Sequence, residues 1–191
     1  MRDKNPKRQA RLIGIDDAPF DKFKSRKTFL VGTIYRGGDF MDGLVSTDVI
    51  VDGTDATRKM IAMINHSKFK PQLQCILLKG IAVGGFNVID VKELSEKTKL
   101  PVLIVVRDYP NFNKIFSALR KLGMEEKIRL IQQAGELHKV GKIWVQLTNL
   151  SLEKAKKILE IACTHSHIPE PIRIAHIIAA GIAKGESRGK A

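Results

Sequence analysis

Two apolar stretches alternate at period two, residues 28–36 and 40–51, and only Gly37-Gly38-Asp39 lies between them. So short a connection makes the two strands adjacent and antiparallel. Beyond Val51 the spacing changes. Ala56, Met60, Ile61 and Ile64 mark one side of a helix that has Thr54 and Asp55 at its start. Cys75, Ile76, Leu77 and Leu78 form a short buried strand, residues 80–87 a glycine-rich loop, and Val88, Val91 and Leu94 a helical stripe. Pro101 opens an apolar strand over 102–106, and Phe112, Ile115, Phe116 and Leu119 trace another helix. A short helical piece over 125–133 precedes strands at 136–139 and 143–147, and helices follow over 152–162 and 172–182. Residues 11–16 supply an opening strand that ends in paired acids, with a polar loop over 21–27 after it. An antiparallel hairpin followed by alternating strands and helices predicts an α/β fold, a mixed sheet flanked by helices.

A chain of 191 residues suits one domain, and no repeat, low-complexity tract or linker divides it. Residues 1–10 read as a basic arm and 184–191 as a flexible tail. The hydrophobic fraction of 43% excludes a disordered chain. No apolar run approaches the length of a membrane span, and the basic N-terminus lacks the apolar stretch of a secretory signal, so no membrane partner is expected. Cys75 and Cys163 sit in apolar-periodic segments and read as reduced thiols of a cytoplasmic protein. Signals for P-loops, dinucleotide fingerprints and serine or cysteine triads are absent.

The charge is one-sided: Lys and Arg outnumber Asp and Glu by 33 to 20, a net +13. Such an excess favours a polyanionic partner, because each neutralised phosphate releases a condensed counterion. DNA is the expected partner, with RNA as the alternative that charge alone does not separate.

Five segments carry a resemblance. They are Leu12-Ile13-Gly14-Ile15-Asp16-Asp17, Asp52-Gly53-Thr54-Asp55-Ala56-Thr57, Lys79-Gly80-Ile81 through Gly84-Gly85-Phe86-Asn87, Pro101 to Arg107, and Pro169-Glu170-Pro171-Ile172-Arg173-Ile174-Ala175-His176. In order and content they resemble endonuclease V and, more closely, an archaeal family related to it. The resemblance implies a ribonuclease H-like fold of the endonuclease V type. It also implies phosphodiester cleavage with Mg2+, or Mn2+ in its place, and links the archaeal branch to deaminated DNA, deoxyuridine in particular.

A hard cation needs carboxylates drawn from separate elements. Asp16 is the first metal ligand expected, at the end of an inner strand. Asp17 joins it only if the strand bends, since successive side chains point to opposite faces. Asp55 is the third expected ligand, and its plainer role is to cap a helix; Asp52 stands behind it as a turn residue.

The sequence departs from endonuclease V at three places. Lys79 stands where an acid is expected, the helix acid falls near Arg58 or Lys59, and a histidine aligns with Thr148. Lys79 is kept as a catalytic candidate because an ammonium beside phosphate supplies positive charge, although it cannot ligate Mg2+ while protonated.

Gly80, Gly84, Gly85, Phe86 and Asn87 are candidates to admit a flipped base, with Phe86 as a stacking face; the alternative is a tight connection with Phe86 in the core. Arg107 is a candidate phosphate contact. His176 shares a helix side with Ile172, Ala175 and Ala179, so a hydrogen-bonded core histidine is expected. Cys163, His165 and His167 alternate without an evident fourth ligand for a transition metal. The leading expectation is a Mg2+-dependent endonuclease acting on deaminated DNA in repair. The alternatives are a catalytically silent nucleic-acid-binding protein and an RNA-directed nuclease.

Overall fold

The computed structural model describes residues 8–187. Most of the expected basic arm and the end of the expected tail therefore lie outside the described residues. Within them, Ala10 is fully buried, so any arm ends before it. At the other end the last helix runs to Lys184 and is closed by Gly185.

The opening strand β1 (Arg11–Asp17) lies between two kinds of neighbour. On one side it pairs antiparallel with β2 (Lys27–Arg36), which pairs antiparallel with β3 (Phe40–Ile50) through the hairpin read from the sequence. On the other it runs parallel to β4 (Leu73–Lys79), and β4 runs parallel to β7 (Val102–Val106). β9 (Ile143–Thr148) adds antiparallel to β7, and β8 (His138–Val140) adds antiparallel to β9. The order β3-β2-β1-β4-β7-β9-β8 is a seven-stranded mixed sheet, so the expected α/β class holds. The glycine-rich loop differs from expectation: it contains a small hairpin of β5 (Ala82–Val83) and β6 (Asn87–Val88).

Period-two alternation divides the sheet's side chains between two cores. Ile13, Ile15, Ile76, Leu78, Val102 and Ile104 meet Met60 and Ile64 of α1 (Ala56–Asn65) and Leu94 of α2 (Val91–Thr98). Leu12, Cys75, Leu77, Leu103 and Val105 meet Ile158 and Leu159 of α5 (Leu152–Ala162) and Ile172 of α6 (Glu170–Lys184). Val88 belongs to β6 rather than to a helical stripe. The helix after it begins at Val91, where the Asp90 carboxylate accepts from the amides of Lys92 and Glu93. Two further helices, α3 (Phe112–Lys121) and α4 (Glu126–Gln133), enclose a third cluster with Phe86 and Val88. Among the described residues no helix is long and apolar enough to cross a membrane, and Cys75 and Cys163 are both free thiols.

One close approach seats α6 on the sheet. A Cβ built on Gly14 would lie 2.3 Å from the carbonyl carbon of Pro171 and 2.4 Å from the amide nitrogen of Ile172. Only glycine lets the first turn of α6 lie this close to β1. Thr33 of β2 fixes the same turn by donating from Oγ1 to the Pro171 carbonyl at 2.6 Å.

Candidate active site

β1, β4 and β7 run parallel, so their C-terminal ends share one edge of the sheet, where open α/β sheets place ligand sites. Asp16, Asp17, Lys79 and Arg107 all lie at that edge. Asp16 alternates with Leu12 and Gly14 and therefore faces α6. Lys79 alternates with Cys75 and Leu77 and faces the same way. Helix α6, held down at Gly14, brings His176 over both.

The resulting contacts are short. Asp16 is 3% exposed. Its Oδ2 accepts from Lys79 Nζ at 3.1 Å and lies 2.8 Å from His176 Nδ1, while Lys79 Nζ is 3.2 Å from the same ring nitrogen. A carboxylate only accepts, so the 2.8 Å contact requires the proton on Nδ1, which donates to Asp16. Lys79 then donates to Asp16 and merely packs beside the ring nitrogen. His176 Nε2 is left buried with no hydrogen-bond partner. Burying a polar atom unpaired is costly, and such atoms in a native fold call for an explanation. Lys79 is the solvent-facing member of the trio, with a third of its side chain exposed.

Asp17 turns the other way. Its Oδ2 accepts from the Gly84 amide at 2.9 Å, and its own amide donates to Asp16 Oδ1 at 3.0 Å. Burial, and then the charge of Asp16, raise its carboxyl from 3.8 to about 6, against the opposing pull of the Gly84 amide. The two neighbouring acids thus occupy different environments.

Asp55 does not complete this cluster. Its Oδ1 accepts from the Ile50 amide at 3.1 Å and from Asn87 Nδ2 at 2.7 Å, and its side chain makes no capping bond to α1. Asn87 is fully buried; its amide also donates to the Ile50 carbonyl and accepts from the Ala56 amide. Both residues tie the glycine loop to the start of α1; Asn87 is buried there, and Asp55 is partly exposed. Asp52 does similar work. With φ +55 it places Oδ1 2.6 Å from the Phe86 amide, and a Cβ on Gly85 would lie 2.3 Å from that oxygen.

The set Asp16, Asp17 and Asp55 therefore does not fit a resident Mg2+ or Mn2+ centre. Asp55 is bound elsewhere, and the ammonium of Lys79 sits on Asp16 Oδ2. Among the described residues no group of three or more His, Cys, Asp or Glu side chains could hold a metal ion. That also applies to Cys163, His165 and His167: Cys163 Sγ contacts the His167 carbonyl, and His165 lies against Thr164 and Glu170.

The loop itself is partly open. Gly80 faces open space, Gly85 is exposed, and Phe86 is half-buried against the cluster around Val88 and Leu119. Beside the trio, Lys79, Gly80, Arg107 and Tyr109 line a cleft of about 380 Å3. Its neighbour, about 590 Å3, is walled by Tyr109, Phe112 and Phe116.

Two residues outside the sequence-derived set belong to this region. His176, expected as a core histidine, is hydrogen-bonded as expected, but to Asp16. Lys127 of α4 is 3% exposed and donates from Nζ to the Asp52 and Gly53 carbonyls at 2.7 and 3.0 Å. Its sequence context, a lysine on a helix rich in charge, carries no signal for that role.

Comparison with known proteins gives both a family and a fold. The profile of the family described as Endonuclease dU matches residues 8–183. A UPF0215 protein of Methanothermobacter thermautotrophicus is 45% identical over 190 residues, covering 97% of this chain and 93% of its own. Among solved structures, a protein of unknown function from Archaeoglobus fulgidus superposes with a TM-score of 0.84 at 39% identity, over 90% of this chain and 97% of that one. Ciona intestinalis endonuclease V, in complex with a DNA containing an inosine followed by a ribo-adenosine, matches with a TM-score of 0.60 at 17% identity, over 92% and 87% of the chains. That likeness establishes an endonuclease V-type fold.

Proposed function

This chain belongs to the endonuclease dU family, and we propose that it hydrolyses phosphodiester bonds in deaminated DNA, deoxyuridine-containing DNA foremost, as a cytoplasmic repair endonuclease. The observation that carries the proposal is the cluster of Asp16, Lys79 and His176 beside a cleft lined by Lys79, Gly80 and Arg107.

In this reading Lys79 and Arg107 face the scissile phosphate and offset its charge. Asp16 holds the Lys79 ammonium from below, and His176 holds Asp16. Asp17, with a carboxyl near 6, is suited to take a proton from attacking water at neutral pH. The new bond runs from the water oxygen to phosphorus. The bond to the leaving oxygen breaks, and that oxygen takes a proton from Lys79. The Gly84 amide holds Asp17 in place, and the loop from Gly80 to Phe86 faces the damaged nucleotide.

No step is assigned to Mg2+ or Mn2+, because the carboxylates do not form a closed centre for either. A second reading, a catalytically silent DNA- or RNA-binding protein, is favoured by one contact: Lys79 Nζ occupies the Asp16 oxygen that a cation would need.

The test is cleavage. Oligonucleotides with a single deoxyuridine or deoxyinosine, and undamaged DNA and RNA controls, are incubated with Mg2+, Mn2+ or EDTA, with Asp16→Ala alongside. Cutting near one lesion that disappears in the variant supports the endonuclease. Cutting of RNA alone supports an RNA-directed nuclease. Salt-sensitive binding without cutting under every metal condition overturns hydrolysis and favours the silent binder.

A further inference from the structure

Phe23 is 98% exposed, more than any other large apolar side chain described. Scattered exposed apolar residues are ordinary. This one differs in how it is held and in what surrounds it. It tips the turn over residues 21–25, and four hydrogen bonds close that turn. The Phe23 amide donates to Asp21 Oδ1 at 2.9 Å, and Ser25 Oγ accepts from the Asp21 amide at 3.1 Å. The amides of Ser25 and Lys24 donate to the Asp21 carbonyl at 2.8 and 3.3 Å. The ring thus stands on a fixed support, so less conformational freedom is lost when it meets a partner.

The neighbours are cationic: Lys22, Lys24 and Arg26 are all exposed. The place is the edge of the sheet that carries the candidate site. The turn follows β1 directly, and its base is pinned by Ala18 to Phe29 and by Val51 to the Arg26 carbonyl. Phe23 is six positions after Asp17, so the two lie within roughly 20 Å, a few nucleotides of a bound strand.

We propose that this turn is a stacking finger: Phe23 inserts between stacked bases of the nucleic acid held at the site, and Lys22, Lys24 and Arg26 contact the adjoining phosphates. Every base offers a π face and every base step is flanked by phosphates, so an aromatic tip between cations matches that chemistry. The inference rests on the site being directed at nucleic acid.

The experiment uses the full chain in EDTA with duplex oligonucleotides carrying one deoxyuridine and 2-aminopurine at successive positions. Binding is followed by anisotropy at several salt concentrations. The expected result is a rise in 2-aminopurine fluorescence at one step with the wild type, absent with Phe23→Ala and restored with Phe23→Trp. Phe23→Ala is expected to weaken binding about 5- to 100-fold without changing the slope of log K against log salt. Lys22→Ala is expected to lower that slope by about 1.

Binding by Phe23→Ala within twofold of wild type, with the same 2-aminopurine signal, overturns the finger. So does lost partitioning onto phosphatidylglycerol vesicles with DNA binding intact, which assigns Phe23 to a membrane instead. The two proposals fail separately. DNA that is unstacked through Phe23 yet never cut by the metal-supplied wild type removes hydrolysis and keeps the finger. Cutting by Phe23→Ala at full affinity removes the finger and keeps hydrolysis.

Discussion

His176 donates from Nδ1 to Asp16 Oδ2 across 2.8 Å, and the two residues are 160 positions apart in the chain. The bond fixes the imidazole's tautomer and leaves Nε2 buried and unpaired. If the trio works as a unit, His176→Gln keeps much of the side chain's volume but loses the rigid ring donor that orients Asp16 beneath Lys79. Cleavage is then expected to fall about 100-fold, with the melting temperature within a few degrees of wild type. Equal activity in single-turnover assays would make His176 a packing residue.

Replacing Lys79 separates its electrostatic role from metal binding. Lys79→Ala leaves the buried Asp16 carboxylate with His176 and the Asp17 amide but no cation, and a loss of about 1–3 kcal/mol is expected in urea unfolding. That figure is below the full cost of breaking a buried pair because Lys79 is partly solvated. Lys79→Glu puts a third acid beside Asp16 and Asp17. Calorimetry is expected to detect Mn2+ binding to this variant more tightly than to the wild type.

The Asp17 carboxyl is raised to about 6 in the folded protein, against 3.8 for the unperturbed group. The folded state therefore holds this proton more tightly than the unfolded state. The associated stability is complete below about pH 4 and is lost as pH rises through about 6. Asp17→Asn keeps an acceptor for the Gly84 amide and removes the titration. Stability at pH 7–8 is expected to rise by about 1 kcal/mol, or about 2–4 °C, with a flatter pH dependence between 4 and 6. Cleavage is expected to be lost. A variant no more stable than wild type at pH 8 would show that Asp17 does not carry this penalty.

Gly14→Ala forces a methyl into the Pro171–Ile172 backbone. Backbone cannot yield as a side-chain tip can, so a loss of about 1–3 kcal/mol is expected. Because α6 carries His176, activity is expected to fall even in cold conditions where the variant is fully folded.

Lys127→Met removes the cation that holds the Asp52 and Gly53 carbonyls. A loss of about 1–3 kcal/mol is expected. Hydrogen exchange is expected to quicken at Gly84, Gly85 and Phe86, whose positions depend on Asp52, while the amides of β1 and β4 stay protected.

The sheet is largely legible in the sequence because its strands obey a simple period. The hairpin of β2 and β3 needs only alternation and a two-glycine turn, and β7 only a run of Val and Ile after Pro101. The hairpin of β5 and β6 escapes because two-residue strands are too short to show a period. In the candidate site, the position of Asp16, Asp17 and Lys79 at strand ends is legible from the same period. The internal bonds of Asp55 and Asn87 are not legible for one physical reason: a loop carboxylate or amide looks the same in sequence whether it binds a ligand or its own backbone. His176 sits among Ile172, Ala175 and Ala179, and an apolar helix face gives no sign that one member reaches a distant acid. Such pairings are tertiary, and periodicity does not encode them.

The contact of Gly14 with Pro171 also has a temporal side. The first strand can pair with β2 as soon as both have been synthesised, yet Asp16 gains His176 only after nearly the whole chain has emerged. Contacts so far apart in sequence form late and slowly. A growing polypeptide would thus carry its acids through most of its birth without the ring that completes them. Any hydrolytic capacity would switch on at release rather than during synthesis.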